Sequence, residues 1–185
     1  MINVFMLIIG IFIFLICLCA NGDTPLGFRP TGHMYGTHPY QVSSSYATAI
    51  KEGSPIKPVA GGYVELAATT NTGILGVAAN AIAASTGGTL WVYDHPLQHF
   101  ICQDDASATL DITIQNANMD FSTEGSSTDQ SDVELIATAI TSDGQCRILY
   151  PAKTRYPDGV ENVVGDNCDW VCMINEQARK ATAGV

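Results

Sequence analysis

The chain has 185 residues, 18 acidic against 8 basic side chains and a formal net charge of −10, a length that suits one domain with a sizeable core. No basic run occurs anywhere, which excludes sequence-independent attraction to nucleic-acid phosphates and, for the body of the chain, to anionic membranes. Six cysteines, of which Cys17 and Cys19 lie in an apolar leader, are too few for a disulfide scaffold.

Residues 1–20, MINVFMLIIGIFIFLICLCA, contain no charged side chain, and such a run can enter or span a bilayer. Three readings stand: a cleaved secretory signal, an uncleaved anchor, or an upstream extension foreign to the functional protein. A signal peptide would want a basic start, and a small residue where Leu18 stands. From Asn21 the character changes. NGDTPLGFRPTGHMYGTHPY, residues 21–40, is rich in Gly, Pro and Thr with apolar residues spaced singly, which predicts an extended N-terminal arm that gains order by lying on a neighbouring surface.

Short strand signals follow. Gln41 to Ile50 and Pro55 to Ala60 are strand candidates, and Gly61-Gly62 turns the chain into Tyr63 to Ala68. Ile74 to Val77 reads as buried strand, so Gly73 to Ala79 is assigned to one. Gly87-Gly88 opens a strand over Thr89 to Tyr93; Asp94-His95-Pro96 interrupts it, because proline donates no backbone hydrogen bond and pushes His95 into extended or turn geometry. A second strand then runs to Cys102. Apolar groups on both faces of these two strands predict a sheet covered on both sides.

Leu110, Ile112 and Ile114 alternate with Asp111, Thr113 and Gln115, the pattern of a half-exposed strand. Asn116 to Asp132 is polar and too long for a hairpin turn, hence a surface loop. Val133 to Ile140 is a strand candidate, and Thr141 to Gly144 is a turn. Cys146 to Tyr150 is a strand ended by Pro151, Pro157-Asp158-Gly159 is a turn, and Trp170 to Ile174 is the last strand before a polar tail at 179–185. Eight or nine short strands punctuated by turns predict one all-β domain over 41–178, a β-barrel or β-sandwich.

Enzyme signatures such as a nucleophile elbow, a P-loop or a metalloprotease helix do not occur. His95 and His99 have zinc-ligand spacing, but Pro96 prevents the helix that would bring both to one ion. His33 and His38 fall in loop sequence. Asp104-Asp105 and the Asp166 to Asp169 stretch lack the glycine and glutamate of a calcium loop, and nothing places a substrate near the carboxylate pairs Asp104/Asp105 or Asp129/Asp132. Cys168 and Cys172 would sit roughly 13 Å apart along a strand, beyond disulfide reach. The body cysteines therefore read as buried thiols. The expectation is a non-enzymatic protein with no catalytic residue, cofactor or metal.

PLGFRP at 25–30, GILGV at 73–77, the strand entering DHPLQHFICQDD at 94–105 and VCMINEQ at 171–177 occur in an order that resembles the small capsid decoration, or head-stabilising, proteins of tailed bacteriophages. The resemblance covers about residues 20–178. It implies a structural virion protein that decorates and stabilises the outer surface of the capsid, with the major capsid protein lattice as partner and self-association on the capsid as a further expectation. It also favours a leader that is an upstream extension. The arm supplies the candidate capsid contacts Leu26, Phe28, Arg29, Met34 and Tyr35. The same stiff β core suits a secreted β-sandwich adhesin or carbohydrate-binding module, secreted or membrane-anchored if the leader is genuine. Trp91, Tyr93 and Trp170 would then be stacking platforms.

Overall fold

The computed structural model describes residues 21–70, 73–106, 108–122, 130–138, 144–153, 161–175 and 177–178. The apolar leader, the polar tail at 179–185, most of the turn at 141–144 and the turn at 157–159 lie outside them. The architecture is all-β and contains a closed barrel.

The stretch read as an arm is extended, yet it is built into the fold. Asn21 Nδ2 donates to the carbonyls of Val163 and Asp166, and Thr24 N donates to Gln103 Oε1 at 3.0 Å. Strand β1 (Arg29–Thr31) pairs antiparallel with β7 (His99–Gln103), and β2 (His38–Val42) is a stave of the barrel. PLGFRP explains itself here. Gly27 has φ +60°, and a Cβ on it would stand 2.6 Å from Ser131 Cβ, so only glycine lets the chain pass. Phe28 beyond it is 1% exposed and meets Phe100 edge to face at 6.1 Å. Burial of a phenylalanine stabilises by roughly 2 to 3 kcal/mol and adds to the β1 and β2 pairings that tie the segment to the chain's own sheets. Ordering by a neighbouring surface is therefore not what fixes residues 21–40.

The barrel runs β2-β4-β3-β5-β6, with β3 (Pro55–Val59), β4 (Tyr63–Leu66), β5 (Gly76–Ala78) and β6 (Gly88–Tyr93). All its pairings are antiparallel except β2 with β4, a parallel contact through Gln41 and Tyr63. Side chains alternate across each strand: on β6, Leu90 and Val92 point inward and Thr89 and Trp91 outward. Val42, Ile56, Val64, Leu75 and Ala78 complete the filling with Ile50. Trp91 is 46% exposed, so β6 is covered on one side only, contrary to the two-sided expectation.

The second sheet is ordered β1-β7-β12-β11-β8, with β8 (Asn116–Ala117), β11 (Cys146–Pro151) and β12 (Asp169–Ile174). A two-stranded ribbon of β9 (Met119–Asp120) and β10 (Glu134–Leu135) accompanies it. Trp170, Cys172 and Ile174 from β12 join Phe100 and Cys102 of β7, Cys146 and Ile148 of β11, and Met119 and Leu135 of the ribbon in the larger core. Strand β5 belongs to both cores, since Val77 faces the larger one and Ala78 the barrel. Residues 51–54 are a further joint: Phe28 N donates to Gly53 O, Gly53 N to Ala78 O, and Lys51 Nζ reaches Asp132 Oδ2 at 3.2 Å.

Two expectations fail around residue 115. Leu110–Ile112 is a turn of 3-10 helix, closed by Ile112 N to Thr109 O with the Thr109 hydroxyl on the Asp111 carboxylate. Ile112 is buried while Ile114 is 66% exposed with φ +64°, so the alternation marked a tight turn that Ile112 anchors. The polar segment expected as a loop from Asn116 begins with β8 and β9, because Ala117 and Met119 are fully buried. Of the strand expected over Val133 to Ile140, the described part pairs at Glu134–Leu135. All four body cysteines are buried free thiols, and burial pushes those of Cys102 and Cys146 well up and that of Cys168 to about 12.

Candidate functional site

One end of the barrel gathers the start of β2, the end of β3, the starts of β4 and β5 and the end of β6. Asp94, the first residue past β6, is the hub of this mouth and is 1% exposed. Its Oδ2 accepts the Tyr40 hydroxyl at 2.5 Å, and its Oδ1 lies 2.7 Å from His38 Nδ1 in a second hydrogen bond. His38 keeps its side chain 59% exposed. Gln177, buried beneath, donates through Nε2 to the carbonyls of Leu75 and Asp94 at 2.8 and 2.6 Å. Among the strands' exposed ends, the mouth is thus a rigid polar frame.

The connector after Asp94 holds the arm. Gln98 N donates to His95 O at 3.0 Å, closing the turn that Pro96 initiates. The Gln98 side chain, 1% exposed, donates from Nε2 to Thr31 O and His99 O and accepts Tyr35 N on Oε1 at 3.3 Å. Tyr35 stacks flat on His95 with ring centroids 3.8 Å apart, and His33 meets Tyr35 edge-on at 4.6 Å. Met34, Tyr35 and Leu97 are 49%, 38% and 54% exposed. A short backbone detour, pinned by one buried glutamine, therefore presents three large apolar side chains to solvent.

At the barrel mouth lies a cleft of about 220 Å³, lined by Tyr40, Pro58, Val59, Tyr63, Val64 and Leu75 together with the Ala60-Gly61-Gly62 turn. It opens where the β2 to β4 pairing stops at Gln41 and Tyr63.

Of the expected capsid contacts, Leu26, Met34 and Tyr35 are exposed. Phe28 is corrected: it is a core residue, and no partner reaches it. Arg29 pairs through Nη2 with Asp169 Oδ2 at 3.1 Å while its side chain stays 39% exposed. Trp170 is fully buried with Nε1 donating to Asp104 Oδ2 at 2.7 Å, so it is no stacking platform, and Tyr93 packs half-buried on the larger core. Trp91 is the exposed member of that set. Asp104 accepts from Trp170 and from Cys168 N, a structural duty, and Asp132 pairs with Lys51; Asp129 lies outside the described residues. His99 sits within β7 opposite Thr31 and Met173, apart from the stack that holds His95. Among the described residues no three His, Cys, Asp or Glu side chains converge to hold a metal ion, and no helix is long and apolar enough to cross a membrane.

Sequence reasoning missed His38, Tyr40, Asp94 and Tyr63 as a group. His38 and Asp94 are 56 residues apart in the chain, and no local spacing joins them. No protein-family model matches the sequence, and neither does any curated protein.

Proposed function

We propose that this protein is a structural component of a virion, binding the outer surface of a tailed-phage capsid and stabilising it against the major capsid protein lattice. The observation that carries the reading is the face built by Met34, Tyr35 and Leu97, exposed apolar side chains on a backbone fixed by Gln98 and the His95 stack. Preorganised aromatic and apolar anchors lose little entropy on docking, which is what a contact repeated across a lattice requires. Each site need only be weak, since bridging neighbouring subunits raises the effective concentration. The order of PLGFRP, GILGV, DHPLQHFICQDD and VCMINEQ supports the same partner.

Co-sedimentation with assembled capsids tests it. The double substitution Met34→Asp with Tyr35→Ala touches exposed side chains, so the fold should survive with an unchanged circular dichroism spectrum. Losing two anchors of about 1 to 2 kcal/mol each lowers affinity per site by roughly 30- to 1,000-fold, and occupancy should fall accordingly. Equal occupancy by wild type and variant would remove this face from the mechanism, and no binding by wild type would remove the capsid.

The exposure of Trp91 favours a second reading, an adhesin or carbohydrate-binding module in which that ring stacks on a sugar. Glycan-array binding abolished by Trp91→Ala is the result it expects.

A further inference from the structure

The edge of the second sheet opposite β1 holds a residue at odds with its own backbone. We infer that this residue, Ile114, is the centre of a two-fold contact between two copies of the chain, in which Asp111 of each copy pairs with Arg147 of the other. In the order β1-β7-β12-β11-β8, β1 is one edge and β8 the other. The contact therefore lies across the sheet from the arm, leaves the Met34 and Tyr35 face open, and needs no capsid.

Two features of Ile114 are each unfavourable in a lone chain. At 66% it is the most exposed large apolar side chain among the described residues. Its φ of +64° lies in the left-handed region, where a branched Cβ crowds the following carbonyl and where glycine or asparagine is at ease. The backbone is fixed there: Ile114 N donates to Ile148 O at 2.8 Å, Ile148 N to Gln115 O at 2.9 Å and Gln115 N to Ile112 O at 3.0 Å. Beside it the Thr113 hydroxyl is buried without a hydrogen-bond partner, a second local cost. Departures of this kind concentrate where a side chain is put to use; a glycine would serve the turn better, and an isoleucine serves a contact. Tyr150, 51% exposed and two residues past Ile148 on β11, is a second large exposed side chain on the strand that holds Ile114.

Charge decides the partner. Asp111 stands in the 3-10 turn three residues before Ile114, and Arg147 pairs across the sheet with Asn116. Both are exposed, and neither enters an ion pair among the described residues. One charge of each sign near one apolar centre suits an isologous contact, because a two-fold axis sets each residue against its complement on the other copy. A partner of a single sign would leave one of the two facing its own charge.

Sedimentation equilibrium of the full chain tests it, in about 0.15 M salt, where a screening length of about 8 Å mutes the repulsion between two acidic copies. Wild type should show a monomer to dimer equilibrium with Kd on the order of 10 to 100 μM. Ile114→Asn removes the apolar centre and suits the left-handed backbone. It should weaken dimerisation at least about tenfold while the Tm of the dilute, monomeric chain rises by roughly 2 °C; a residue with only a structural role would lower Tm and leave association alone. Asp111→Arg and Arg147→Asp set like charges against each other in their own dimers, so each should weaken association about tenfold or more. An equimolar mixture of these two variants should return to within about threefold of the wild-type Kd, since each supplies the sign that the other lacks. A wild-type chain that stays monomeric up to about 1 mM would overturn the inference. So would a dimer that tolerates Ile114→Asn, an Ile114→Asn chain that melts lower, or a mixture no more dimeric than its components. Failure to co-sediment with capsids leaves the dimer standing, and a strictly monomeric protein that still binds capsids removes the dimer alone.

Discussion

Replacing Gly76 by alanine is expected to cost about 4 kcal/mol or more, a large share of the roughly 5 to 15 kcal/mol that holds a domain folded. Gly76 opens β5 and pairs with Ile56 of β3. A Cβ built there stands 2.2 Å from the Tyr93 carbonyl oxygen and 2.9 Å from Asp94 Cα. Those neighbours are backbone, so no side-chain rotation makes room, and either the β5 to β6 pairing or the frame around Asp94 must shift. Overpacking of a well-packed core costs about 1 to 3 kcal/mol when side chains can yield; here the yielding group would be a strand. Gly22→Ala is the internal control, because its Cβ meets Thr24 Oγ1 at 3.9 Å and little else, and it should be neutral within about 0.5 kcal/mol. Urea unfolding of both variants decides the matter. A Gly76→Ala protein within about 1 kcal/mol of wild type would show that β5 slides freely.

The protein should be markedly more stable at pH 5 than at pH 8. Glu134 lies on β10 directly opposite Asp120 of β9, is 6% exposed, and its carboxyl is pushed up to about 7, first by burial and then by the charges of Asp23, Asp105, Asp120 and Asp104. Asp104 is likewise raised to about 7 by burial, against the opposing pull of the Trp170 and Cys168 donors. For a carboxyl whose folded value exceeds its unfolded value, the folded state holds the proton more tightly. Its contribution is complete below the unfolded value near pH 4 and is lost as the pH climbs through about 7. Each pH unit that separates the folded from the unfolded value is worth about 1.4 kcal/mol, so the two coupled groups together contribute a few kcal/mol, and Tm should fall by roughly 10 °C between pH 5 and pH 8. Glu134→Gln removes the titrating proton while keeping the shape. Thermal unfolding of this variant should show a flatter pH profile and a higher Tm at pH 8. A wild-type profile that is level, or that rises toward pH 8, would contradict the assignment.

Strands whose alternation is local were legible without coordinates. Thr89 to Tyr93, Pro55 to Ala60, Tyr63 to Ala68 and Trp170 to Ile174 each match an observed strand to within a residue or two of its ends; on β6 one buried face gives the period of two, and β12, buried on both faces, shows as a short apolar run. The Asp94-His95-Pro96 break was legible for the same reason, since proline fixes its own geometry. What escaped depends on distant partners. Singly spaced apolar residues from Pro25 to Tyr35 show no period, and only Gly53 and Phe100, far along the chain, decide that Phe28 is core and Met34 is surface. Leu110 to Gln115 misled because apolar groups two apart fit a strand and equally a 3-10 turn that buries Ile112 and leaves Ile114 exposed. Of the candidate site, the exposed half of the arm was readable, and the Asp94 frame was not: a single aspartate before a proline looks like any turn until Tyr40 and His38 are brought to it.

Strand β5 is three residues long, and both of its faces are claimed, by Val77 on one side and Ala78 on the other. A wall shared in this way leaves no plane along which the barrel could part from the second sheet while either stayed intact. Opening one means exposing apolar surface in both, so the low-energy, partial excursions by which many two-lobed proteins breathe are closed to this one. Amide protons along β5, and those of Gly53 and Ala78 that tie the 51–54 joint to it, should then exchange with solvent only at the rate set by complete unfolding. That converts two modest cores into a single all-or-none body.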